Sequence, residues 1–67
     1  MNRDDLIRAL RHYCRKRGVP FEVNTARGRG SHYRVSVGQR WTIVQTKLDP
    51  HNIRTILKQL DVDPAEL

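Results

Sequence analysis

The chain has 67 residues, with 13 basic and seven acidic side chains and a formal net charge of +6. This length fits one domain, residues 1–67, and excludes a two-domain arrangement or a large enzyme with a deep substrate cleft. With 37% apolar residues and no long apolar run, the sequence predicts a small core and neither a membrane-spanning helix nor a signal peptide.

The cysteine content limits how the fold can be stabilised. A single cysteine, Cys14, excludes an internal disulfide and a cysteine-rich zinc site. His12 lies two residues before it, so on a helix the two side chains would point about 200° apart and could not share a metal ion. We therefore expect a fold held by packing, with no metal and no cofactor, in a reducing compartment such as the cytoplasm.

The positive charge is concentrated in the middle of the sequence. Residues 6–48 contain ten basic side chains and one acidic side chain, Glu22, whereas the remaining residues contain three and six. Ten of the 13 cations are arginines, whose guanidinium groups bind phosphate through paired hydrogen bonds and stack on bases. The distribution predicts a polyanionic partner, with nucleic acid favoured over a membrane surface, and a merely solvated basic surface is the alternative.

The first predicted element is a helix that Asn2 can cap and that ends near Gly18. One side of it is apolar, with the spacing of a helix that packs on a core. The apolar residues are Leu6, Ile7, Leu10, Tyr13 and Cys14. The opposite, basic face carries Arg8, Arg11 and Arg15. This basic face could follow an RNA backbone, dock on an acidic partner, or simply be solvated.

Strands are predicted next. Alternation of apolar and polar residues predicts strands at Phe21–Asn24 and His32–Val37, and a run of β-forming residues predicts a third at Arg40–Thr46. Segment 25–31 has the composition of a loop, and Gly38-Gln39 indicates a hairpin turn. Strands joined in this way form an antiparallel meander.

The final predicted helix begins at Asp49-Pro50, an N-cap followed by proline at the first helical position. Its apolar stripe consists of Ile53, Ile56, Leu57 and Leu60. Asp63 to Glu66 repeats the start signal, but it can form at most a single turn. The order α-β-β-β-α therefore predicts a single α+β domain with a three-stranded antiparallel sheet and both helices on one face.

Residues are assigned to the two faces of the sheet by this pattern. We expect a core of Leu6, Ile7, Leu10, Tyr13, Phe21, Val23, Tyr33, Val35, Val37, Trp41, Ile43, Ile53, Ile56, Leu57 and Leu60. The other face would be polar and would carry His32, Arg34, Ser36, Arg40, Thr42 and Thr46. Val44 falls on that polar face, which indicates a protein contact or a bulge. Trp41 is interpreted as a core residue rather than as a platform for stacking bases.

One segment, Arg27-Gly28-Arg29-Gly30-Ser31-His32, combines groups that bind phosphate with a group that transfers protons. Its glycines let the backbone approach a ligand, and its exposed amides, arginines and hydroxyl can bind an anion. The imidazole of His32 can take the proton of a ribose 2′-OH, which then attacks the adjacent phosphate while cations stabilise the developing charge. A flexible basic loop beside a surface histidine is the alternative interpretation.

The sequence resembles the HicA toxins of bacterial type II toxin–antitoxin systems at residues 28–32, in the hairpin after them and at Asn52–Gln59. The resemblance spans nearly the whole chain, and the family motif Gly-Lys/Arg-Gly-Ser-His is matched by Gly28 to His32. It implies a double-stranded-RNA-binding-like fold and a ribosome-independent mRNA interferase that the antitoxin HicB neutralises. It also implies that His32 is the catalytic residue.

Together, these features predict a cytoplasmic, metal-independent endoribonuclease with His32 as general acid/base. The residues expected to bind RNA phosphate are Arg27, Gly28, Arg29, Gly30, Ser31 and Arg34. The partners would be mRNA and a HicB-like antitoxin, with no membrane and no small-molecule cofactor. A non-catalytic RNA- or DNA-binding module and a degenerate toxin retained for antitoxin binding remain as alternatives. The short segment 47–50 and a third strand without the family's usual proline keep the degenerate toxin open.

Overall fold

A computed structural model describes residues 1–25 and 32–67, and these residues form two α-helices, three strands and a short 3-10 helix. The elements are α1 (Arg3–Arg17), β1 (Phe21–Asn24), β2 (Tyr33–Val37), β3 (Arg40–Val44), α2 (Pro50–Gln59) and the 3-10 helix Pro64–Glu66. The α-β-β-β-α order and the α+β fold predicted from the sequence are confirmed. Within the described residues, no helix is long and apolar enough to cross a membrane.

Reciprocal side-chain caps fix where α1 and α2 begin. The Asn2 side chain accepts a hydrogen bond from the Asp5 N–H at 2.8 Å, and the Asp5 carboxylate accepts one from the Asn2 N–H. At α2, Asp49 accepts from the Asn52 N–H at 2.7 Å, and Asn52 accepts from the Asp49 N–H. Each pair satisfies backbone donors that the helix itself leaves unpaired. Both helix starts were predicted within a residue.

The sheet has β2 at its centre and β1 and β3 at its edges, all antiparallel. In the pairing of β1 with β2, Phe21 lies opposite Val37 and Asn24 lies opposite Arg34. In the pairing of β2 with β3, Val37 lies opposite Arg40, on either side of the predicted Gly38-Gln39 turn, and Tyr33 lies opposite Val44. Residues directly opposite each other point to the same face, so these pairs assign every strand residue to a face.

The helices pack against one face of the sheet and enclose the core. Its buried members are Leu6, Leu10, Cys14, Val35, Val37, Val44, Ile56, Leu57, Leu60 and Val62. Partly buried residues packed against them are Ile7, Tyr13, Val19, Phe21, Val23, Tyr33, Leu48 and Ile53. This confirms the predicted core for α1, β1, β2 and α2.

The prediction for β3 was wrong, because its two faces are exchanged. Trp41 and Ile43, expected in the core, are 52% and 41% exposed. Thr42 and Val44, expected on the polar face, are 7% and 0% exposed. The pairing explains this, since Thr42 lies opposite the buried Val35. The predicted bulge or protein contact at Val44 is not needed.

The turn length sets this register. A two-residue turn pairs Val37 with Arg40, so Arg40 shares the helix-facing side and Trp41 takes the other side with its partner Ser36. The polar Thr42 is accommodated on the helix side because its hydroxyl donates a hydrogen bond to Oε1 of Gln59 on α2. We call the side away from the helices the open face. By pairing it carries Glu22, Asn24, Arg34, Ser36, Trp41 and Ile43.

Candidate nucleic-acid site

His32, the predicted catalytic residue, lies immediately before the first residue of β2 and is half-buried. The next residue, Tyr33, fixes this end of the central strand. Its side chain packs against the core beside Val44, and the Arg3 guanidinium of α1 lies 3.7 Å from its ring centroid. The backbone that carries His32 is therefore anchored by a residue packed against the core and by a cation–π contact.

Arg34, a predicted phosphate-binding residue, is half-buried on the open face, two residues after His32. It lies opposite Asn24 on β1 and Ile43 on β3. Its guanidinium lies 4.1 Å from the centroid of the Trp41 ring. Stacking uses the flat side of a guanidinium, whereas its N–H donors lie in the plane, so a stacked arginine can still bind phosphate at its edge.

The other residues predicted to bind phosphate lie outside the described residues. They are Arg27, Gly28, Arg29, Gly30 and Ser31. The described chain leaves the sheet after Asn24, which pairs with Arg34, and resumes at His32. The described residues that border the segment, Thr25 and His32, therefore lie near Arg34 at one end of the sheet. The phosphate-binding role of the segment itself stays a prediction.

The basic face of α1 is a second, separate cationic surface, because α1 packs on the helix-facing side of the sheet. Arg8, Arg11 and Arg15 are exposed, as predicted. Arg8 pairs with Asp5 at 3.7 Å, but both side chains are largely solvated, so the pair contributes little. Arg17, at the end of the helix, forms an ion pair with Glu66 and lies 4.6 Å from the Tyr13 ring centroid.

Cys14 is buried in the core, as predicted, and burial raises the pKa of its thiol above the ordinary value. A thiol in this state packs as a small apolar group. Among residues 1–25 and 32–67, no three histidine, cysteine, aspartate or glutamate side chains lie together where they could hold a metal ion.

Trp41 and Ile43 are the candidate binding residues that the periodicity of β3 misplaced. Together with Arg40, Thr42 and Gln59 they line an open groove along the edge strand. The sequence contained a signal for their exposure. If Gly38-Gln39 is a two-residue hairpin turn, Trp41 pairs with Ser36 and therefore points away from the core.

Comparisons of the chain with protein-family models, curated proteins and solved structures gave no match.

Proposed function

We propose that this protein is a metal-independent endoribonuclease of the HicA type, the toxin of a type II toxin–antitoxin pair, with His32 as its general acid/base. The observation that carries the proposal is the position of His32. It stands at the start of the central strand, two residues before Arg34, within the most basic part of the sequence.

The proposed reaction needs only an imidazole, cations and the substrate's own 2′-hydroxyl. His32 takes the 2′-OH proton, and the 2′-oxygen attacks the adjacent phosphorus. The 5′-oxygen of the next nucleotide leaves and receives a proton from the imidazolium, which gives a 2′,3′-cyclic phosphate and a free 5′-hydroxyl. Arg34 and the predicted loop arginines, Arg27 and Arg29, stabilise the charge that develops on the phosphate oxygens.

Anchoring of the strand supports this role for His32. An acid/base group must be held near its target, and Tyr33 ties the adjacent backbone to the core and to Arg3 of α1. A single acid/base group is a modest catalyst, so we expect slow turnover.

The proposed partners and compartment follow from the same assignment. The substrate is mRNA, the cell compartment is the cytoplasm, and a HicB-like antitoxin blocks the His32 site. A neutralising partner needs a surface beside His32, and the open face offers exposed Trp41 and Ile43 together with Arg34.

Growth of bacteria that express the protein tests the toxin assignment. We expect arrest with wild type and with His12→Ala, which removes an exposed histidine of α1, and normal growth with His32→Ala at equal protein level. Arrest by His32→Ala, or normal growth with wild type, would contradict the assignment.

A non-catalytic nucleic-acid-binding module is the second candidate, and the Arg34–Trp41 pair on the open face favours it. This pair can bind nucleic acid whether or not His32 cuts. The second candidate predicts salt-dependent binding that His32→Ala leaves unchanged, and no cleavage products.

A further inference from the structure

Trp41 occupies a position that core packing does not explain. It is the chain's only tryptophan, and half of its surface is exposed on an edge strand. Ile43, the next residue on the same face, is 41% exposed, and Arg34 of the neighbouring strand stacks on the tryptophan ring. Single exposed apolar residues are ordinary, but a tryptophan, an isoleucine and a stacked arginine side by side indicate a contact surface.

We propose that Trp41 is a stacking platform for one unpaired base of single-stranded RNA, with Arg34 binding the neighbouring phosphate. The inference rests on the proposed function only in taking RNA as the ligand, and it adds a substrate-positioning subsite to it. Aromatic rings stack on bases regardless of sequence, and an arginine beside the ring supplies charge for the backbone.

The register of the sheet relates this platform to His32. Trp41 lies opposite Ser36, which follows His32 by four residues on β2. At the rise of a strand, the platform is about 13 Å from His32 along the sheet, with Arg34 between them. A short stretch of RNA can therefore run from a base stacked on Trp41, past Arg34, to the scissile phosphate at His32.

Charge favours RNA over the other occupants of such a face. On the open face Arg34 lies over the Trp41 ring, and Arg40 precedes Trp41 on the edge strand, whereas Glu22, the acidic residue on the described part of the open face, lies on β1 beyond the central strand. A polyanion with flat bases complements both the ring and the cations.

Fluorescence of Trp41 reports directly on this site, because the protein has no other tryptophan. His32→Ala protein, which removes the proposed acid/base, is titrated with a short mixed-sequence single-stranded RNA, and separately with polyphosphate at equal charge. We expect saturable quenching by RNA and little change with polyphosphate, which has no base to stack. Equal responses to both polyanions would overturn the proposal.

Substitutions separate stacking from mere apolar area. In the same His32→Ala background, Trp41→Leu should weaken RNA binding roughly ten- to hundredfold, while Trp41→Phe should keep much of the affinity. Leu67→Ala is the matched control, since it shortens an exposed apolar side chain at the last residue of the sequence, outside the sheet. Trp41→Leu binding as tightly as the control would overturn the platform, as would a Trp41-dependent self-association without a change in RNA affinity.

Failure of the subsite and failure of the nuclease remain distinguishable. Binding is measured in a variant that lacks His32, so quenching needs no cleavage. If RNA bases stack on Trp41 but the wild type does not cleave RNA, the nuclease proposal is wrong and the platform proposal stands. If the wild type cleaves RNA and Trp41→Leu does not raise the KM for RNA, the platform proposal is wrong and the nuclease proposal stands.

Discussion

The hydroxyl of Thr42 on β3 donates a hydrogen bond to Oε1 of Gln59 on α2. This bond satisfies a threonine that is only 7% exposed and lies opposite Val35. Because Thr42 and Val44 take the helix-facing side of the edge strand, Trp41 and Ile43 take the open face. The hydrogen bond from Thr42 to Gln59 thus allows a polar residue on the helix-facing side of β3. The same register exposes Trp41, the proposed RNA platform.

Removal of the acceptor should therefore destabilise the protein. Gln59→Ala leaves the Thr42 hydroxyl without its partner, and we expect the free energy of unfolding to fall by about 1–2 kcal/mol. Thr42→Val removes the hydroxyl instead of stranding it and should cost less. Urea unfolding of both variants checks this, and a Gln59→Ala protein as stable as wild type would refute the role of the bond.

The orientation of β3 gives a second stability prediction. Val44→Ala opens space in the core, since Val44 is fully buried, and should lower the free energy of unfolding by about 1–3 kcal/mol. Trp41→Ala removes a larger side chain, but from the surface, and should cost at most about 1 kcal/mol for the lost contact with Arg34. A larger loss for Trp41→Ala than for Val44→Ala in thermal or urea unfolding would show that the faces are assigned wrongly.

The end of α2 gives a third prediction. Asp61 is in the left-handed region, with φ of 58°, while its N–H donates to the Lys58 carbonyl and the Val62 N–H donates to the Leu57 carbonyl. Glycine adopts this conformation without the steric cost that a side chain carries. Asp61→Gly should therefore raise the free energy of unfolding by about 0.5–1 kcal/mol, and Asp61→Val should lower it. The reverse order of melting temperatures would contradict this account of the cap.

The buried thiol gives a pH prediction. Burial raises the pKa of Cys14 in the folded protein above its ordinary value of 9.0. The unfolded chain therefore loses this proton first as pH rises. The contribution of Cys14 to stability is complete below that ordinary value and is lost as pH rises from it toward the folded pKa. As pH rises above 9.0, the free energy of unfolding of wild type should fall more steeply than that of Cys14→Ala. Parallel slopes for the two proteins would contradict the effect.

Local patterns predicted most of this fold because the relevant interactions are local. Asp49 and Asn52 cap a helix within one turn, and apolar spacing marks the buried side of α1 and α2. The faces of β3 depend instead on turn length and on a distant partner, Gln59, that makes a buried Thr42 acceptable. Alternation alone favoured burying Trp41, so the prediction failed there.

The candidate site likewise has one part that local sequence patterns predict and one part that depends on strand pairing. The motif identified His32, and the predicted polar face of the strand identified Arg34; the structure places both at one end of β2. The stacking of Arg34 on Trp41 joins residues from different strands, so it depends on the register and could not be recognised from the motif.

Cleavage of single-stranded RNA in the presence of EDTA tests the central claim most directly. Wild type, His32→Ala and the control His12→Ala are incubated with a 5′-labelled RNA, and the ends of the fragments are identified. We predict fragments with 2′,3′-cyclic phosphate ends from wild type and His12→Ala, and intact RNA with His32→Ala. Equal cutting by His32→Ala, or no cutting by purified, folded wild type, would contradict the account.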